Sequence, residues 1–297
     1  MKRKWTAGES VFQIVVGLLF VLFAFVCLYP FWYILMYSFS STAATAVTPP
    51  YFWFKGFTLA NYEAILLNQG IAQAALVSVS RTLAGTFLTV ALSAFFAYLM
   101  TKNEMPYRKL IYRVVIVTMY LNAGLIPTYI LYQRIHILNT FWIYVLPGMV
   151  AAYYVILIKT YIESIPPALE ESAMMDGAGY IRIFRSVIMP LSKPILATVI
   201  VFSAVGQWNS FSDNVIFVHP QSLQTLQLIL YRVLANVTEA FQSVNTQEIA
   251  RIMAHKPPSP MTIRMTITMV VTLPIIFVYP FLQRYFIKGI MLGAVKG

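Results

Sequence analysis

The sequence predicts an all-α integral membrane protein of six transmembrane helices, and three observations carry that prediction. Of 297 residues, 59% are apolar and only 10% are charged, against about 45–50% and 25% in an average soluble domain. Six charge-free intervals of at least 19 residues follow one another: 10–54, 82–101, 114–133, 135–158, 194–212 and 265–283. Each holds the ~20 residues needed to cross a hydrocarbon core. The third observation is that basic residues are shared unevenly between the loops these intervals define. A soluble domain and a disordered chain are both excluded, because 21 basic and 10 acidic side chains could not solvate a globule of this length.

Taken in order, the expected spans lie at about 11–39, 72–100, 112–133, 140–159, 194–211 and 265–285. Lys2, Arg3 and Lys4 precede the first, yet the apolar stretch from Val11 to Phe39 is far longer than the ~7–15 residues of a signal-peptide core. It reads as a retained helix, with Tyr29, Trp32, Tyr51 and Trp53 as an interfacial aromatic belt. Gly124 and Pro127 interrupt the third span, Pro147 and Gly148 the fourth, and Pro274 and Pro280 the sixth. Bends are expected there, as packing kinks or as the lining of a polar cavity. The interval 214–231 carries His219, Pro220 and several glutamines and reads as interfacial, within an extracytoplasmic loop at 210–263. In that loop Leu223, Leu226, Leu230 and Leu234 recur at helical spacing.

With the N-terminus inside, fourteen basic residues fall on the cytoplasmic side and six outside, with Arg81 at the outer end of the second span. That bias predicts both termini in the cytoplasm, and it makes the net charge of +11 a topology signal rather than a sign of nucleic acid. No Asp or Glu lies in any of the six intervals, which disfavours an ion-coupled carrier; Arg81 could snorkel from its helix end. A phosphate-cradling Gly-x-x-x-x-Gly-Lys-Ser/Thr loop, Gly-x-Ser-x-Gly and His-Glu-x-x-His are all missing from the sequence. No catalytic residue is therefore expected, and energy for uphill movement would come from another chain. Cys27 and the three histidines, His136, His219 and His255, show no metal-ligand spacing.

The stretch from Ser164 to Pro194, inside the cytoplasmic loop at 160–193, carries the most information. It reads as a helix–turn–helix in which Ser164 caps, Pro166 or Pro167 occupies the first turn, and Glu170 and Glu171 favour the helix dipole. Gly177 ends the first helix, Asp176 is expected to cap the second, and the second is expected to halt before Pro190.

Glu171-Ser172-Ala173, then Gly177, then Val187-Ile188-Met189-Pro190 resembles the Glu-Ala-Ala loop of ABC-transporter permeases, with the spacing kept throughout. Ser172, Val187 and Met189 depart conservatively. The tail, Gln283 to Gly289 and Gly293 to Gly297, resembles that of carbohydrate-uptake permeases of the maltose-transporter type, and Asn122 to Tyr129 and Leu223 to Gln227 resemble the subgroup for larger oligosaccharides. The resemblance implies a type I importer permease fold in a bacterial inner membrane. It also implies a second homologous permease, two ATPase subunits and an extracytoplasmic sugar-binding protein, with ATP and magnesium on the ATPase. Coupling to the ATPase is carried by resemblance to Glu170, Glu171, Ala173, Asp176, Gly177 and Pro190. For the cargo, which needs aromatic faces and amides, the candidates are Tyr120, Asn122, Gln207, Trp208 and Asn209. Rival readings keep the permease and change the cargo to peptide, or make the chain a scaffold that recruits an ATPase without transport.

Overall fold

The computed structural model describes residues 7–67, 69–235 and 259–294. Lys2, Arg3 and Lys4, much of the loop expected to be extracytoplasmic (236–258) and the last three residues of the tail lie outside them.

Three helices are long and apolar enough to cross a membrane by themselves: Gly8–Ser38, Gly70–Thr101 and Met261–Val278. They belong to α1 (Ala7–Ser38), α4 (Gln69–Thr101) and α14 (Pro260–Ala294). Three bent pairs, Arg108–Tyr120 with Leu125–Arg134, Phe141–Gly148 with Ala152–Ile162, and Tyr180–Leu191 with Lys193–Asn209, raise the count to six if each is one span. Their bends are 119°, 44° and 81°.

By its internal contacts the chain divides into two units, Met1–Asn68 with Arg232–Thr272 and Gln69–Tyr231 with Leu273–Gly297. In the first, α1 leads to α2 (Thr42–Val47) and α3 (Ala60–Leu66). The amide of Asn61 ties this corner together by donating to the carbonyls of Ser38 and Ser40, each at 2.9 Å. Tyr62 and Ser38 share a hydroxyl pair at 2.7 Å, and burial pushes the Tyr62 phenol up. Trp32 Nε1 donates to the Phe52 carbonyl at 2.8 Å and Tyr29 to that of Tyr51 at 3.2 Å. The aromatic residues at the end of α1 thus clip onto the following loop, Trp32 exposed and Tyr29 half-buried, as a belt at headgroup level allows. Along α1, Phe12, Leu18 and Phe23 are more than 60% exposed, so this helix offers lipid or another subunit an apolar surface.

The second unit is built on α4. Against it pack α7 (Ala152–Ile162) and α11 (Lys193–Asn209), around a core that includes Ala94, Ala97, Tyr98, Val155, Ile158 and Val199. Alanine on α4 lets the helices approach closely. The third expected span is two helices, α5 (Arg108–Tyr120) and α6 (Leu125–Arg134), rather than one kinked helix. Asn122 Oδ1 accepts from the Gly124 amide at 2.9 Å and closes a local turn. Pro127 falls in the first turn of α6, where its missing N–H costs nothing, so the break lies ahead of it over 121–124, with Gly124 at φ +86°. In the sixth, α14 runs helical through Pro274 and Pro280.

The fourth span opens as two 3₁₀ turns, Phe141–Tyr144 and Leu146–Gly148, before α7. The bend frees backbone groups that α4 satisfies: Thr89 Oγ1 donates to the Gly148 carbonyl at 2.9 Å, and Ser93 Oγ accepts from the Ala151 amide at 3.3 Å. Beyond α11, residues 210–231 fold back as α12 (Ser212–Phe217), a 3₁₀ turn (Gln221–Leu223) and the start of α13 (Leu226–Ala235). Asn214 is fully buried and accepts from both the amide and hydroxyl of Thr225 at 2.8 and 3.1 Å. Leu226 and Leu230 are buried while Leu234 is 50% exposed, so the leucine spacing holds for only part of the expected face.

Candidate functional site

Two constellations in the second unit carry chemistry, one at the helical hairpin that follows α7 and one in a cavity beside α4.

The hairpin begins with α8 (Ala168–Met175), followed by α9 (Tyr180–Ile183), a π turn over Phe184–Ile188 and α10 (Met189–Leu191). Gly177 ends α8 at φ +75°. Its amide returns to the Met174 carbonyl at 2.9 Å and that of Ala178 to Ala173 at 3.0 Å, the paired bonds of a Schellman stop. Three details differ from expectation. Ser164 Oγ donates back to the Tyr161 carbonyl at 2.7 Å, and α8 is capped at Pro167 without a side-chain bond. Asp176 is the C-cap of α8, while Gly179 precedes α9 without a side-chain cap. The second helix also continues through Pro190 to Leu191. There the Met189 amide reaches back five residues to the Phe184 carbonyl, and this widened turn absorbs the proline's missing donor and the bulk of its ring.

Hairpin side chains divide by direction. Ala173, Ala178, Phe184, Ile183 and Ile188 pack into the core shared by α4, α7 and α11. Glu171, Asp176, Gly177 and Pro190 stand exposed, beside Met175 at 87% and Ile181 at 65% exposure. Glu170 turns the other way and pairs with Lys102 just past the end of α4, whose ammonium also lies 4.2 Å over the Tyr98 ring. The hairpin is therefore packed onto the bundle, with an outer surface that mixes the charges of Glu171, Asp176, Arg182 and Arg185 with apolar Met175 and Ile181.

The cavity has a volume of about 340 Å³, near the lower end of the ~300–1,000 Å³ of small-molecule sites. Tyr132, Tyr144, Tyr154 and Phe217 supply aromatic walls, Thr89, Ser203, Gln207 and Ser210 supply hydrogen-bonding groups, and Pro147 and Gly148 line the bend. The helix breaks of the fourth span thus do line a cavity. Gly85 lets α11 in: a Cβ there would lie 2.5 Å from Gln207 Nε2 and 2.7 Å from its Cδ.

Arg81 corrects the snorkelling expectation. It sits well inside α4 and is 2% exposed. Its guanidinium donates to both carboxylate oxygens of Asp213 at 3.2 and 2.5 Å, to the Ser210 carbonyl at 3.2 Å, and twice to Gln207 Oε1 at 3.3 Å. The Tyr144 ring covers it at 4.5 Å, and the Tyr144 hydroxyl donates to the Leu223 carbonyl at 2.6 Å. Of the five cargo candidates, Gln207 lines this cavity. Trp208 and Asn209 close α11 next to it. Tyr120, 82% exposed, and Asn122 lie at the break between α5 and α6 and are not among the lining residues. Asp213 and the three tyrosines are not among the residues the sequence singles out, and Arg81 is singled out only as a helix-end cation. The one signal for them was a lone basic residue between two apolar runs, with no acid within helical reach.

Comparison with known proteins adds the following. Residues 89–292 match the family described as binding-protein-dependent transport system inner membrane component. The chain is 31% identical to the polygalacturonan/rhamnogalacturonan transport system permease protein YtcP of Bacillus subtilis (strain 168), over 93% of this chain and 95% of that one. It is 33% identical to protein LplC of the same organism, over 90% and 89%. Among solved structures, a chain of a bacterial ABC transporter involved in the import of the acidic polysaccharide alginate superposes with a TM-score of 0.86 at 27% identity, covering 96% of this chain and 100% of that one.

Proposed function

The chain belongs to the family of binding-protein-dependent transport system inner membrane components, and from that membership we propose that its cargo is an oligosaccharide handed over by an extracytoplasmic binding protein. As a family member it is a permease subunit of an ABC importer in the inner membrane, and it works with an ATPase carried on a separate chain. The observation that carries the oligosaccharide reading is the cavity: aromatic faces from Tyr132, Tyr144 and Tyr154 beside Gln207, Ser203 and Thr89 are the groups that stack on sugar rings and pair with hydroxyls. The sugar-transporting relatives support the same reading.

In this reading the chain pairs with a second, homologous permease above two ATPase subunits, which hold ATP and magnesium. The six crossings and the cytoplasmic hairpin at 160–193 form one permease domain with both termini inside. The exposed face of Glu171, Asp176, Gly177 and Pro190 docks on the ATPase, while Ala173 and Glu170 fix the hairpin to the bundle. Closure of the ATPase pair moves the hairpin as a lever, and the bent helices around Gly124 and Gly148 tilt to open the cavity outward. Nucleotide energy is useful because the two cavity states contact the partners differently. Gln207 contacts cargo inside the cavity, with Trp208 and Asn209 at its edge and Tyr120 and Asn122 along the route. The test is reconstitution with the partner chains and a screen of solutes for stimulated ATP hydrolysis and uptake. Stimulation by oligosaccharides is expected; stimulation by peptides alone, or hydrolysis without any uptake, would overturn the reading.

A further inference from the structure

We infer that Arg81 is a carboxylate-binding position for the cargo and that Asp213 is its resident stand-in, so that the oligosaccharide is an acidic one. This rests on the oligosaccharide reading above and adds the charge of the cargo.

The argument is an asymmetry between the two partners. Arg81 is 3% exposed and Asp213 is 23% exposed. If the pair separates, Asp213 keeps two donors of its own, the Ser210 hydroxyl at 3.1 Å and the Asn214 amide at 2.9 Å, and it has access to water. Arg81 keeps Gln207, Tyr144 and the Ser210 carbonyl, all of them neutral, and no second anion lines the cavity among the described residues. A guanidinium cannot shed its proton, so a buried one demands a replacement anion. The pair spans two elements, α4 and the first turn of α12, so any widening of the cavity between them pulls on this bond. A neutral sugar leaves the arginine stranded at that moment. A uronate carboxylate takes the place of Asp213 in the same two-pronged geometry, which Arg matches well, while ring hydroxyls meet Gln207 and Ser203 and the ring lies against Tyr144. Asp213 thereby occupies Arg81 until a carboxylate arrives.

The experiment uses the complete complex in proteoliposomes and measures stimulated hydrolysis and uptake. Probes are oligogalacturonate and oligoalginate, their carboxyl-reduced counterparts and neutral malto-oligosaccharides, each at a concentration that saturates the binding protein. Variants are R81Q, D213N and the double R81Q/D213N; the binding protein is unchanged throughout, so differences among variants report on this chain. An acidic probe is expected to stimulate the wild type. R81Q is expected to lose that stimulation by about 30-fold or more, the usual consequence of deleting one half of a buried charge pair at a binding site, and D213N is expected to keep it. The double variant buries no unpaired ion, so it should assemble and hydrolyse ATP yet stay unresponsive to the acidic probe. If the double variant regains stimulation, the pair is a structural strut and the inference falls. If neutral probes alone stimulate, the inference falls and the oligosaccharide reading stands. If no oligosaccharide stimulates, the oligosaccharide reading itself falls.

Discussion

Replacing Glu170 by alanine tests most directly whether the hairpin is driven through α4. Glu170 and Lys102 have side chains 17% and 13% exposed, between two regimes. Exposed pairs contribute about 0.2–1 kcal/mol, and breaking a buried pair costs about 3–5 kcal/mol. The contact of Lys102 with the Tyr98 ring 4.2 Å away is present in wild type and variant alike, so it cancels, and the half-buried pair is placed between the two regimes. The expected net loss is then about 1–2 kcal/mol, a tie weakened about 5- to 30-fold. The assay is the ratio of cargo-stimulated to unstimulated ATP hydrolysis in proteoliposomes, which should drop while unstimulated hydrolysis persists. Exchanging the charges, Lys102→Glu with Glu170→Lys, restores the attraction. It also leaves a cation in the first turn of α8, where the helix dipole disfavours it by about 0.3–1 kcal/mol, so recovery should be large but incomplete. The reasoning is refuted if Glu170→Ala stays within twofold of wild type, or if the exchange is as defective as Lys102→Glu alone.

Further substitutions separate backbone strain, close approach and polar satisfaction. Gly177→Ala meets no atom within 4 Å, so its expected cost is the left-handed backbone alone, about 1–2 kcal/mol; Gly177→Asn should retain more stimulated hydrolysis than Gly177→Ala, because Asn tolerates that conformation. Gly85→Val drives a side chain into Gln207 and should weaken cargo-stimulated uptake while the complex still assembles on a sizing column; unaltered uptake would show that Gln207 is dispensable. Thr89→Val strands the Gly148 carbonyl it now satisfies and should lower the detergent melting temperature by the equivalent of about 1–3 kcal/mol. Asn214→Ala, which strips Thr225 of its acceptor, should cost a similar amount, and a melt unchanged from wild type would mean that water takes the amide's place.

How much was legible follows from what each signal measures. Charge scarcity and the Glu171-to-Pro190 spacing carried the class of fold and the hairpin, because both are local properties of the text. The course of the second helix through Pro190 was not legible: a proline normally breaks a helix, and the π turn that accommodates it is a backbone adjustment with no residue signature. The buried arginine was missed for a different reason. A charge-free interval ends at a charge by definition, so Arg81 bounds the interval 82–101 and reads as a helix-end residue, and its partner Asp213 lies 132 residues away, beyond any periodicity. Gln207 was legible as an amide at a helix end. The close approach that places it, made possible by the missing side chain of Gly85, depends on two helices whose meeting no single stretch of sequence encodes.

Two of the ion pairs of the second unit draw their cation from one helix, Arg81 within α4 and Lys102 immediately past its end. Twenty-one residues apart, they are separated by about 31 Å along the axis at 1.5 Å per residue. This makes α4 a shaft whose angular phase matters as much as its length. One residue inserted between them would leave both ends helical and equally apolar, yet would turn Lys102 by about 100° away from Glu170 while advancing it only about 1.5 Å. Four inserted residues would nearly restore the angle and lengthen the shaft by about 6 Å. Point substitutions along the lipid-facing side of α4 should therefore be tolerated freely, whereas insertions and deletions between these two positions should not.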